Sequence, residues 1–142
     1  MNKLNTYLAN LVLWNAKLHN LHWNVTGPAF VQVHEFTEKL YDEVFEQYDA
    51  VAEVQKMQNE MPLVKLADYM QHATLQEIDA KDFSPAEVLK IVEADMKTMV
   101  ALATDIRNEA SEKDNFQVAN MFEDYLSSYA KNLWFIRAIL KA

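Results

Sequence analysis

Cysteine is absent from the 142 residues, which removes disulfides and thiolate metal ligation together and fits a reducing compartment. Glycine occurs once, as Gly27, and proline three times, as Pro28, Pro62 and Pro85. Breakers this sparse disfavour a turn-rich sheet and favour long helices. Positive charge is also short: 13 basic residues against 21 acidic ones leave a formal net charge of -8, which repels a phosphate backbone and attracts cations. No apolar stretch approaches the roughly 20 residues that a membrane span needs. The run Leu11-Val12-Leu13-Trp14 is bounded by Asn10 and Asn15, and no small-residue cleavage site follows it. It reads as helix rather than secretion signal. A soluble, cytoplasmic protein that engages neither a membrane nor free nucleic acid is expected.

Half of what is present is apolar, and the length suits one domain over residues 1–142 with a real core. Leu4, Leu8, Leu11, Asn15, Leu18 and His22 recur at steps of three and four, predicting a first helix that ends near the Gly27-Pro28 pair. A second helix is expected from about Val33 to Met57, with Val33, Leu40, Val44 and Val51 as its apolar stripe. It stops before Pro62, which disfavours helix at Met61. Residues 63–83 read as a long crossover with a short helix over residues 63–70. Ser84-Pro85-Ala86-Glu87 then has the form of a capping box with proline at the first helical position. Val88, Val92, Met99, Leu102 and Ile106 carry that helix to about Ala110. After the polar break at Ser111 to Asn115, the residues Val118, Phe122, Tyr125, Tyr129, Leu133, Ile136 and Leu140 define a last helix. The expected fold is all-α: a four-helix bundle whose long crossover contains a short helix.

The second helix has two working faces. With His34 at zero on a helical wheel, Glu38 lies near about 40°, Asp49 near about 60° and Glu53 near about 100°, while the core stripe sits near about -100°. These potential ligands therefore face away from their own bundle. Tyr41, Phe45 and Ala52 share the outer arc, and apolar groups there point to a subunit interface. From Glu38 to Asp49 the helix rises roughly 16 Å, too far for one metal centre. An antiparallel copy related by a two-fold axis resolves this, because it sets Asp49 and Glu53 of one chain beside His34 and Glu38 of the other and generates two equivalent sites. His22, near the end of the first helix, can enter from the side.

Two imidazoles and three carboxylates without sulfur suit iron, zinc or manganese. The pattern has a plainer reading as well. Carboxylates at i,i+4 occur on most charged helices, and His22 and His34 can serve as interface histidines that bind no metal.

The stretch HWNVTGPAFVQVHEFTEKLYDEVFEQYDAVAE, residues 22–53, resembles the signature of the Dps family, the DNA-binding proteins from starved cells or miniferritins. The resemblance extends through PLVKLADYMQHATLQE in the crossover and KNLWFIRAIL at the end. It implies a ferritin-like bundle that assembles into a hollow dodecamer, oxidises Fe(II) with a preference for hydrogen peroxide, and stores the ferric product, protecting against oxidative stress. It further implies a site between subunits, with His22, His34 and Glu38 from one chain and Asp49 and Glu53 from its two-fold neighbour. Trp23 lies close by on this match, as a candidate sacrificial oxidation site.

Three departures stand out. Glu38 occupies a position where the family usually has aspartate, so the carboxylate reaches one methylene further. Gln58-Asn59-Glu60-Met61-Pro62 replaces paired glycines after the second helix. In NFQVANMFEDY, which resembles the lining of the three-fold pore, Asn120 stands where aspartate is frequent, leaving Glu123 and Asp124 as substitutes at the iron entry. The family's DNA compaction usually relies on a basic terminal tail. Here only Met1 to Lys3 precede the first helix and the chain closes on Lys141-Ala142, so direct DNA binding is not expected. A metal-independent DNA-compacting or scaffold protein of the same fold is the alternative. Bacterioferritin-like enzymes use Glu-x-x-His motifs, and no histidine here has glutamate three residues before it.

Overall fold

Five helices carry residues 2–141, the part of the chain that the computed structural model describes: α1 (Lys3–Asn24), α2 (Phe30–Met57), α3 (Leu66–His72), α4 (Pro85–Glu112) and α5 (Phe116–Leu140). Met1 and Ala142, the ends from which the lack of a tail was read, lie outside the described residues. Short turns make α1 and α2 one antiparallel pair and α4 and α5 the other, and the crossover with α3 joins them. The all-α bundle expected from the sequence is the fold observed.

Helix ends follow from local chemistry. Asn2 caps α1 by accepting from the Leu4 N–H at 2.9 Å. At α4, Ser84 and Glu87 form the reciprocal capping box that the sequence announced. The end of α2 answers the question raised by its missing glycines. Asn59 takes the left-handed conformation (φ 62°), and the Glu60 N–H returns to the Gln55 carbonyl at 2.8 Å. That is a Schellman stop, with asparagine in the place glycine usually fills. The end of α4 repeats it, with Asp114 at φ 57° and Asn115 N–H to Ala110 O at 2.8 Å.

Val33, Leu40, Val44 and Val51 are buried, as their spacing implied. Burial on α1 is far wider than a single stripe, taking in Tyr7, Ala9, Asn10, Leu13, Trp14, Lys17 and Leu21, because α1 is packed against α2, α3 and α4 at once. Asn10 anchors the crossover: its side-chain Oδ1 accepts from the N–H groups of Thr74 and Leu75 at 2.7 and 3.1 Å. Further along, Thr26 N–H donates to Phe83 O at 2.8 Å and Phe83 N–H to Asn24 O at 3.0 Å. These bonds pin the end of the crossover beside the α1–α2 turn. Lys17 reaches across to Asp95 on α4 at 2.9 Å in a nearly buried ion pair. Burial pushes the Asp95 carboxyl above its usual range, against the opposing pull of Lys17.

Candidate metal centre

The last turn of α1 and the second turn of α2 lie against each other, and each contributes one histidine. His22 Nδ1–H donates to the His34 carbonyl at 2.7 Å, and His34 Nδ1–H donates to the His22 carbonyl at 2.8 Å. The rings stack with centroids 3.6 Å apart and planes 16° from parallel. The arrangement is reciprocal, and it also satisfies His22 O, one of the carbonyls left over at the end of α1. Because both Nδ1 atoms carry the proton, both Nε2 atoms keep their lone pairs for a ligand.

Glu38 stands one turn beyond His34 on α2. Its Oε1 is 4.0 Å from His22 Nε2, beyond hydrogen-bond reach. Metal–ligand bonds of about 2.0–2.2 Å allow two ligand atoms to lie up to about 4.4 Å apart. One ligand atom from each of His22, His34 and Glu38 falls within 4.8 Å of the others, and among the described residues no other group of three or more histidine and carboxylate side chains does so. A small swing of the exposed Glu38 side chain closes the remainder. Burial, with His34 and His19 nearby, lowers the His22 pKa, which favours the neutral imidazole that a metal requires. The donor set therefore fits a borderline or hard divalent cation.

Asp49 and Glu53 are not brought to this cluster. Both are exposed on the same helix, and the roughly 16 Å of rise beyond Glu38 keeps them away within one chain. Exposed aromatics stand nearby: Phe45, between Glu38 and Asp49 on α2, is 64% exposed, and Trp23, next to His22, 69%. Leu11, Val12, Asn15, Val44, Phe45 and Tyr48 line a groove of about 160 Å³ there. His19 stacks on Tyr41 at 3.9 Å between centroids and lies 5.5 Å from Trp23. At the other end of the bundle Glu123 is held by Arg107 at 2.9 Å, so the Asn120 stretch offers less negative charge than its sequence suggests.

One contributor escaped the sequence reading. Thr37 is fully buried, and its Oγ1 lies 3.1 Å from His22 Nδ1. Its position three residues after His34 puts it on the flank of α2 toward the core, where a small β-branched residue reads as packing.

Comparison with known proteins gives a consistent picture. The family model described as a ferritin-like domain matches residues 1–142. The "DNA protection during starvation protein" of Brevibacillus brevis is 33% identical over 97% of this chain and 92% of its own. The Helicobacter pylori protein of the same name is 26% identical over 93% and 92%. Among solved structures, a Dps protein from Bacillus brevis superposes with a TM-score of 0.93 at 33% identity, covering 98% of this chain and 93% of that one. Antigen TpF1 from Treponema pallidum reaches 0.96 at 28% identity, covering 99% and 90%.

Proposed function

The chain belongs to the Dps family of ferritin-like proteins, and from that premise we propose that it is a miniferritin, oxidising Fe(II) with hydrogen peroxide at sites shared between subunits and enclosing the ferric product in a hollow dodecamer. The observation that carries the reading is the reciprocal histidine pair, which leaves two Nε2 lone pairs beside Glu38. His22, His34 and Glu38 supply half of the site, and Asp49 and Glu53 of a two-fold neighbour supply the rest. The apolar outer face of α1 and α2 is the surface that such a neighbour covers. Iron is the substrate, and zinc or manganese can take its place on the same donors.

Two Fe(II) ions give one electron each to peroxide, the O–O bond breaks, and two protons complete the products as two Fe(III) and two waters. No hydroxyl radical leaves when both electrons arrive together. The protein's part is to hold two cations close enough for that, with neutral imidazoles and anionic carboxylates that tighten on the ferric state. Among the described residues no helix is long and apolar enough to cross a membrane, and a cytoplasmic location fits the absence of cysteine.

The test is anaerobic mixing of Fe(II)-loaded protein with peroxide, set against dioxygen, together with the particle mass. Peroxide oxidises faster, with two iron ions consumed per peroxide, and the mass corresponds to about twelve chains. Equal or slower rates with peroxide count against the chemistry, and a monomer or dimer counts against the shell.

A further inference from the structure

His22 has two acceptors for one proton. Its Nδ1–H faces the His34 carbonyl at 2.7 Å and the Thr37 hydroxyl oxygen at 3.1 Å. The Thr37 hydroxyl proton is itself committed to the backbone of its own helix, with Val33 O at 2.9 Å and His34 O at 3.0 Å. With that proton spent, Oγ1 has only lone pairs to show to His22. Both neighbours of Nδ1 are thus acceptors, and an imidazole turned to present a bare nitrogen here would set lone pair against lone pair. Thr37 is 0% exposed and His22 5%, so no solvent relieves that conflict.

We infer that Thr37 is a positioning residue, which holds His22 in the Nδ1–H form with Nε2 turned outward to Glu38. The inference rests on the metal-binding reading above. A ligand histidine whose second nitrogen is fixed by a partner is better aimed and more basic, and losing such a partner typically lowers metal affinity about 10- to 100-fold. Since His34 O remains as an acceptor, the lower end of that range applies to Thr37. The neighbouring position Glu38 supplies a ligand directly, so Thr37-Glu38 works as a unit: one residue aims the imidazole and the next meets it.

The test uses the assembled full-length protein and Co(II) alone, followed by its visible absorption bands at a fixed neutral pH. Thr37→Val keeps the volume and removes the hydroxyl, and Thr37→Ser keeps the hydroxyl and removes a methyl. Thr37→Val should weaken Co(II) binding by about tenfold, the lower end of the outer-partner range, and Thr37→Ser should restore most of it. In a His22→Ala background, Thr37→Val should change nothing further, since the residue acts through His22. The inference is overturned if Thr37→Val binds like wild type, if valine and serine weaken binding alike, or if valine lowers the residual affinity of His22→Ala by the same factor. A wild-type protein that gives no Co(II) bands defeats the metal-binding reading instead, which is a separate outcome.

Discussion

Glu38 places a longer carboxylate than its family's usual aspartate beside His22, on a side chain that is 55% exposed. It has freedom to adjust, so Glu38→Asp should keep peroxide-driven oxidation while shifting Fe(II) affinity by a few-fold. Glu38→Ala should slow the initial rate by more than about tenfold, since losing a ligand costs at least as much as losing an outer partner. Stopped-flow absorbance separates the two. A second residue-scale device lies in the core, where Tyr7 and Tyr129 meet and both hydroxyls donate to Gln47, at 2.6 and 3.2 Å. Gln47→Leu leaves those buried hydroxyls with less to bond to, and should destabilise the fold by about 1–3 kcal/mol in urea unfolding. The histidines and Glu38 were legible in the sequence because chemistry-bearing residues recurred at helical steps. Thr37 and Gln47 were not, because a buried hydroxyl or amide declares its partner only when distant turns of chain are brought together.

Among the elements, the long stripes, the capping box at Ser84 and the stop of the second helix at Met57 were legible, and other ends were not. The second helix begins at Phe30 rather than Val33, since Phe30, Val31 and Gln32 face outward and add nothing to a core stripe. The left-handed Ala29 after Gly27 lets the chain turn in fewer residues than the breaker pair suggested. The short helix spans Leu66–His72 rather than residues 63–70; the Leu63 carbonyl is instead taken by the Tyr69 hydroxyl at 2.5 Å, and Leu63 to Lys65 stay non-helical. Lys17–Asp95, hidden in the stripes of α1 and α4, gives a direct test. Either Lys17→Met or Asp95→Leu alone strands a buried charge and should cost about 3–5 kcal/mol, whereas the double replacement should be neutral or stabilising by about 1–4 kcal/mol. Chemical denaturation of the three variants measures it. At the start of α4, Lys81 and the Ser84 backbone hold the Glu87 carboxyl below its ordinary range. Its folded pKa is thus lower than its unfolded one, so its stabilisation is complete above the unfolded value and is lost as pH falls through the folded value. Glu87→Gln should therefore flatten the acid limb of the unfolding midpoint, below the ordinary glutamate range, and leave the slope at neutral pH unchanged.

At the scale of the whole molecule the division of ligands makes a complementation test possible. One variant lacks His22, His34 and Glu38, and the other lacks Asp49 and Glu53. Each alone should assemble and lose rapid iron oxidation. A mixed two-fold pair contains one doubly damaged site and one intact site, so co-expression should recover up to about half the wild-type rate per mixed pair if sites act independently. Purified mixed assemblies without recovery would sink the shared site. A net charge of -8 per chain also predicts no retardation of duplex DNA at physiological salt without added divalent metal, because counterion release needs cationic contacts. A salt-sensitive gel shift in that condition would overturn it. The proposed two-fold partner rests on Asp49 and Glu53 lying exposed and away from His22, His34 and Glu38, because a sequence records which surface is unfinished and not what finishes it.

The clasp between His22 and His34 closes within one chain, and so on the proposed reading each newly made subunit already holds the histidine half of the site in place. Under the shared-site reading that half stays idle in a solitary chain, since the missing carboxylates arrive only with a neighbour. Production of insoluble ferric iron is thereby tied to the building of its container. On that reading, chains that have not yet paired would not precipitate iron, and the chemistry would start where walls stand ready to receive the product.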